Sequence, residues 1–249
     1  MHKNDEADGD TRQRVLESAC ELFADKGYRD ATVQDICDNA NANIAAVNYY
    51  FGSKDELFVA ACEHAYELST EASVLEADLS EAQPPEEVLA AFIRARVRAM
   101  FGTGPSTYLW RISMRMHSEA HHARARGRHN EDPARLRREL RKRIIDPKVK
   151  RLDRLMATLV GVSPDHPDAR MFSFSLLAQI MALGNPHSKR PARHAFGKEE
   201  PNEADIEMLC DHLTRLLLAG IRERRAMLEA AGEHAAPSET VIASEGTQS

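Results

Sequence analysis

The residues whose types and spacing come nearest to metal chemistry are His117, Glu119, His121 and His122. His117 and His121 are four apart, so on a helix they share one face at a separation that suits a divalent ion. A metal-dependent helical protein acting on an anionic substrate is one reading of this cluster. Histidines solvated on a polar stretch are the other. Phosphate, dinucleotide and zinc-protease chemistry have no support, because the chain lacks Gly-x-x-x-x-Gly-Lys-Ser/Thr, Gly-x-Gly-x-x-Gly and His-Glu-x-x-His. No catalytic constellation and no cofactor are therefore expected. Cys20, Cys37, Cys62 and Cys210 are scattered, with no Cys-x-x-Cys pair. They read as buried reduced thiols, with a redox-sensing thiol as the alternative.

A second group of residues suits binding. Phe92, Phe101, Tyr108, Trp110, Met114 and Phe172 can line an apolar pocket for a small-molecule effector, although each also fits ordinary core packing. Between residues 94 and 154 there are 18 Lys and Arg against 6 Asp and Glu, whereas residues 11 to 60 carry 5 against 8, within a chain of net charge −6. By charge alone a nucleic-acid surface would be placed in the middle of the chain. The run Arg135-Leu136-Arg137-Arg138-Glu139-Leu140-Arg141-Lys142-Arg143 also alternates as a solvated helix face does.

The elements that must position these residues are helical throughout. The 249 residues, 43% hydrophobic, can bury a substantial core. Residues 1–10 are polar and read as a disordered arm. Val15, Leu16, Ala19, Leu22 and Phe23 then recur at helical spacing until Gly27 supplies a stop. Thr32 and Asp35 form an acidic capping box before a short helix through Val33, Ile36, Cys37 and Ala40. Asn43 can cap a third helix with Val47 and Phe51 inward, and Ser53 with Glu56 opens a fourth, read as continuous to about residue 75. The four-residue link 40–43 between the two short helices is the length of a DNA-reading helix-turn-helix. Further helices follow Pro84-Pro85 and Ser106, and a long basic one spans about 133–160, which Pro147 should kink or interrupt. Residues 171–183 are apolar nearly all round and need partners on several sides. Residues 185–203 read as a loop, a last amphipathic helix starts near 204, and the tail 232–249 reads as disordered.

Three stretches together, Ala19-Cys20-Glu21-Leu22-Phe23-Ala24-Asp25-Lys26-Gly27-Tyr28, Thr32-Val33-Gln34-Asp35-Ile36 and Val47-Asn48-Tyr49-Tyr50-Phe51-Gly52-Ser53-Lys54-Asp55-Glu56-Leu57, resemble the signature of TetR-family transcription regulators. Two positions depart from it. Asn41 stands where the family turn usually has Gly, and Asn48 where most members have Tyr. A subgroup with Asn-Tyr-[His/Tyr]-Phe at this place, which includes a regulator of antibiotic sensitivity and efflux genes, is similar. The resemblance implies an all-α fold, with a helix-turn-helix DNA-binding domain at 11–57 and a larger helical domain at 58–231 for effector binding and dimerisation. Its partners would be a palindromic double-stranded operator, a second copy of the chain and a small molecule that releases the DNA. It assigns the major groove to the third helix, with Asn43, Ile44, Ala45, Ala46, Asn48 and Tyr49 at the DNA, and backbone or groove-edge contacts to Thr32, Gln34, Tyr50 and Lys54. The two apolar helices near the C-terminus would form a two-fold four-helix interface through Phe174, Leu177, Ala178, Met181, Ala182, Leu213 and Leu217. Without a spanning apolar run or a signal-type N-terminus, the protein is expected in the cytoplasm with no membrane partner.

Overall fold

A computed structural model describes residues 3–70, 74, 83–125, 131–183 and 190–232. The described residues form helices α1 (Lys3–Asp30), α2 (Val33–Ala40), α3 (Ile44–Phe51), α4 (Lys54–Glu67), α5 (Pro85–Phe101), α6 (Tyr108–Ala125), α7 (Glu131–Leu140), α8 (Asp146–Val160), α9 (Pro167–Leu183), α10 (Arg190–Phe196) and α11 (Glu203–Ala231). The all-α expectation holds. Among these helices none is long and apolar enough to cross a membrane.

Local chemistry sets the boundaries of the N-terminal helices. At Gly27 the backbone leaves helical geometry (φ 83°), a conformation open to a residue without Cβ, and α1 ends three residues later. Thr32 accepts from the Asp35 amide while the Asp35 carboxylate accepts from the Thr32 amide, so the anticipated acidic capping box forms. Lys26 Nζ donates to the same carboxylate at 3.1 Å, and these donors hold Asp35 below the usual carboxylate range. Asn41 caps α2 in the left-handed region (φ 48°, ψ 51°), and no other non-glycine residue among those described has positive φ. Asn43 Oδ1 accepts from the Ala45 amide and starts α3, and Gly52 (φ 77°) ends it.

Several helices depart from the pattern read in the sequence. The backbone is helical from Lys3, within the stretch read as a disordered arm; that arm is polar, and polar residues leave little periodic signal. The α4 helix ends at Glu67, with Leu68 as its cap, instead of running on to about 75. The long basic helix is broken by a π turn at Arg141–Ile145 immediately before Pro147. Proline has no amide hydrogen to give to residue 143, and the wider turn absorbs that loss, so the helix is interrupted near Pro147, one of the two outcomes expected there. The α10 helix occupies part of the segment read as a loop. The tail beyond Gly232 lies outside the described residues.

Two apolar cores result. One contains Phe23, Ile36, Val47, Phe51, Leu57 and Phe58 of α1–α4, and extends to Leu109 and Ile112 of α6, Leu136 and Leu140 of α7, and Ile144. The other packs α5, α8, α9 and α11 around Phe92, Leu155, Leu176 and Leu213, with Trp110 and Met114 from α6. At 100° per residue, Leu109 and Ile112 lie roughly opposite Trp110 and Met114, so α6 is buried on two sides.

Two predictions follow from the capping geometry. Asn41→Val should lower unfolding free energy by about 1–2 kcal/mol, because a β-branched side chain is excluded from left-handed backbone, while Asn41→Gly should leave it nearly unchanged; urea denaturation monitored by circular dichroism measures both. Asp35 contributes stability that is present above the unfolded carboxylate pKa and lost as pH falls through its depressed folded value. Asp35→Asn should therefore flatten the acid side of the melting-temperature profile.

Candidate nucleic-acid interface and ligand cavities

The outward face of α3 carries four of the residues assigned to DNA. Ile44, Ala45, Asn48 and Tyr49 are exposed, Tyr49 to 76%, while Val47 and Phe51 anchor the helix inward. Ala46 is half-buried. Asn43 is exposed, but its side-chain oxygen is committed to the cap. Tyr50 is half-buried against the N-terminal core, and its ring meets Tyr49 edge-on with centroids 4.9 Å apart. Tyr50 therefore steadies the reading surface more than it extends it.

The flanking contacts are positioned by the cap chemistry. Thr32 is exposed, and the hydroxyl that accepts from Asp35 keeps a proton to donate. Gln34 gives an amide hydrogen to Asp38 at 2.6 Å and keeps its own carbonyl oxygen. Lys54 is the first residue of α4, where unpaired amides and the helix dipole favour an anion. Its ammonium lies 4.6 Å from the centre of the Tyr28 ring, and the Tyr28 hydroxyl is bound to Asp55. The lysine is thus held beside the α4 N-terminus by its stem and its aromatic neighbour. Arg12 stacks over Phe51 at 5.3 Å, which brings an exposed cation to the end of α3. Sequence reading missed Arg12; a basic residue in an otherwise acidic 11–60 region was the available signal.

Five of the six residues expected to surround an effector, Phe92, Phe101, Trp110, Met114 and Phe172, belong to the C-terminal core or pack against it. Phe92 and Met114 are buried in the C-terminal core. Tyr108 packs on the opposite side of α6 against the N-terminal core, and its hydroxyl pKa is raised, chiefly by burial. Phe101 meets Phe196 at 6.1 Å, and Phe172 lies against Gly220, where an added Cβ would come within 3.5 Å of its ring. Trp110 borders a cavity of about 430 Å³ formed with Ser69, Ala95, Arg98 and Thr107. The Arg96 guanidinium covers its ring at 4.7 Å. Tyr108 is set apart from the other five because α6 is buried on two sides and sends it to the N-terminal core.

A second cavity of about 480 Å³ opens between α4, α6, α7 and the π turn. Cys62, Ile112, Leu140 and Ile144 form its buried wall, and His117, Arg137 and Arg141 its exposed rim. His117 Nδ1 is 3.1 Å from the Ser113 carbonyl, which can only accept, so that nitrogen carries the proton. The side chains of Glu119, His121 and His122 lie outside the described residues, and the described residues hold no group of three or more potential metal ligands. All four thiols are buried. Burial pushes Cys20 up to about 12 and Cys210 up to about 11, and raises Cys37 and Cys62 as well. Thiols kept protonated are poor nucleophiles, which favours the structural reading of the cysteines.

On the expected interface, Phe174 is 67% exposed, Ala178 and Ala182 are exposed, and Leu177 and Met181 are half-buried. Leu213 and Leu217 are corrected: both are buried in the protomer's own core. The apolar residues that α11 leaves exposed are Met208, Leu216 and Met227, displaced around the helix from those two leucines.

Comparison with known proteins fits this division of the chain. Residues 15–61 match the family of bacterial regulatory proteins of the TetR type, and residues 85–221 match the C-terminal domain of the HTH-type transcriptional dual regulator CecR. The HTH-type transcriptional repressor NicS of Pseudomonas putida is 33% identical over 84 residues, which cover 33% of this chain and 40% of NicS. The transcriptional regulator BetI of Brucella melitensis is 32% identical over 35% of this chain and 43% of its own length. The chain thus spans less than half the length of these relatives in the matched region. Among solved structures, FadR from Bacillus subtilis in complex with stearoyl-CoA superposes with a TM-score of 0.59 at 16% identity, over 84% of this chain and 98% of that one. The fatty acid degradation regulator FadR from Bacillus halodurans gives 0.57 at 15% identity over the same shares. These two likenesses carry the fold. The C-terminal match takes in more than half of the 249 residues, and with the N-terminal one it makes this chain a helix-turn-helix transcription regulator of the TetR family, with the C-terminal domain of the CecR family.

Proposed function

We propose that the protein is a dimeric repressor whose two α3 helices read an approximate palindrome and which leaves the DNA when a small molecule binds its larger domain. The observation that carries this reading is the exposed Ile44, Ala45, Asn48 and Tyr49 face, presented on a helix capped at both ends. Small Ala45 and Ala46 permit close approach and contact with thymine methyls, and Asn48 offers the donor and acceptor that adenine requires. This Asn48-Tyr49-Tyr50-Phe51 helix is read as that of the Asn-Tyr-[His/Tyr]-Phe subgroup. Thr32, Gln34, Lys54 and Arg12 take phosphates. The exposed Phe174, Ala178 and Ala182 on α9, with Met208 and Leu216 on α11, pair with a second copy. This pairing sets the two reading helices about 34–36 Å apart, the spacing of successive major grooves. FadR from Bacillus subtilis, which shares this fold, forms a complex with stearoyl-CoA, and this supports an amphiphilic small molecule as the effector.

Release follows from movement of α6 relative to α1. Arg115 Nε donates to the Ala24 carbonyl at 2.8 Å and Arg111 pairs with Asp25, so a shift of α6 is passed to α1 directly.

Sequencing genomic fragments retained by the purified protein should return a site with two related half-sites, and a single unpaired site would count against the dimeric reading. Lys54→Ala should weaken binding to all sequences alike and reduce the slope of log affinity against log salt by about 1. Asn48→Ala should instead relax preference at one base pair per half-site, losing about 1–3 kcal/mol of discrimination in gel-shift competition.

For the dimer, Ala178→Arg places a charge on a surface exposed in the protomer, so the variant should fold yet dimerise more weakly by about 3–5 kcal/mol in sedimentation. Undiminished dimerisation would move the interface elsewhere.

A further inference from the structure

The cavity between α4, α6, α7 and the π turn combines an apolar wall with a rim of a single charge sign. Leu109 and Ile112 of α6, Leu140 of α7 and Ile144 form the wall, and none of the residues around the cavity is acidic. Cys62 gives the cavity contact with α4. At the rim, Arg137 makes no ion pair with any described side chain. Arg141 uses its Nε on Asp146 at 3.1 Å, which leaves its terminal amides as donors. His117 adds an exposed imidazole whose Nδ1 is already committed. The cavity volume of about 480 Å³ is that of a small-molecule site, and the π turn that borders it is an irregularity commonly found at functional positions.

We propose that this cavity binds an amphiphilic anion, with its apolar chain or ring system on Leu109, Ile112, Leu140 and Ile144 and its carboxylate or phosphate held by Arg137 and Arg141. The chemistry is selective in both parts. A neutral molecule of the same shape gains the apolar wall and loses the charge-assisted hydrogen bonds. An amphiphilic cation meets two guanidinium groups with no carboxylate between them and the cavity. A wholly polar anion gains nothing from the buried wall. Leu109, Ile112, Leu140 and Ile144 belong to the same apolar core as α1–α4, so an occupant sits in the packing of the DNA-reading unit itself. The inference rests on the regulator reading for its biological consequence, though not for the binding itself.

The test is isothermal titration of the full chain, without DNA, using decanoate, decanoyl-CoA, decanol and decyltrimethylammonium below their micellar concentrations. The free acid or the CoA thioester should bind, roughly ten- to a hundredfold more tightly than the alcohol, and the ammonium compound should bind least. Saturation by decanoate alone identifies a free acid as the ligand type, and by decanoyl-CoA alone an acyl thioester; either supports the site. The double variant Arg137→Ala, Arg141→Ala alters exposed side chains, so it should melt as the wild type does while its affinity for the anion falls to that of the alcohol. Ser113→Trp should block all four probes by filling the cavity. Equal binding of acid, thioester and alcohol, an undiminished anion preference in the double variant, or no binding of any probe would overturn the proposal. Gel shifts with the genomic fragments, run without probe, separate the two readings: failure to retain DNA counts against the regulator reading and leaves the titration result standing.

Discussion

Leu109 and Ile112 bury one side of α6 among the N-terminal helices, while Trp110 and Met114 bury the other in the C-terminal bundle. A helix committed to two cores cannot move relative to one without disturbing the packing of the other, because protein interiors are packed too densely to yield smoothly. The polar contacts reinforce that commitment, since Arg115 reaches a main-chain carbonyl at the end of α1 and Arg111 an adjacent carboxylate. This two-sided helix makes one mechanical unit of the helix-turn-helix head and the larger domain. The α4 helix, which ends at Glu67, also meets the larger domain, through Glu63 paired with Arg143 and the Tyr66 hydroxyl, which accepts from Arg151.

An acidic protein that binds a polyanion must place its few cations well. Within residues 11–60 several positive groups already have intramolecular partners: Lys26 pairs with Asp35, and Arg14 with Asp10 and the Ala40 carbonyl. These hold the helix-turn-helix together. Arg12 is exposed and stacks on the Phe51 ring at the end of α3, and the Lys54 ammonium lies over the Tyr28 ring at the start of α4, so packing fixes the stem of each. Such placement lowers the entropy lost on meeting a phosphate. The basic stretch in the middle of the chain follows a different logic: Arg143 bridges Glu63 and Glu139, tying the π turn to α4, and Arg137 and Arg141 face the cavity rim. Counting charge along the sequence could not separate these uses, because partners such as Glu63 lie 80 residues away.

What the sequence disclosed depended on how local the responsible interaction was. The Thr32–Asp35 box, the Asn43 cap and the tolerance of Asn41 for left-handed backbone are each settled within three residues, and all were readable. The exposed face of α3 was readable too, since helical periodicity fixes which side Val47 and Phe51 take. The division of the apolar residues of α6 between two cores was not. Tyr108, Trp110 and Met114 sit close together in sequence on an apolar helix, and only the tertiary arrangement shows that Tyr108 goes to one core and the other two to the second. The same blindness placed Leu213 and Leu217 on an interface: an apolar stripe on α11 reads identically whether it meets its own chain or a second copy. Burial assigned those leucines to the protomer and left Met208 and Leu216 outside.

A ligand in the α4–α6–α7 seam need not bind tightly to act as a switch, because only the difference between its affinities for the two arrangements of the protein counts. Allosteric couplings of about 1–3 kcal/mol change DNA affinity by roughly 5- to 150-fold, and by linkage the bound DNA weakens the ligand by the same factor. Burying one methylene contributes about 0.8 kcal/mol. A seam that encloses two to four more methylenes in the released arrangement than in the DNA-bound one therefore supplies the whole coupling from apolar contact alone. The charged rim then has a separate task. Arg137 and Arg141 remain exposed to water, so they add comparatively little to the differential term, but they determine which molecules enter the seam. On the proposed site, selectivity would reside at the surface and switching in the core, with the short path from Ile112 through α6 to α1 joining the two.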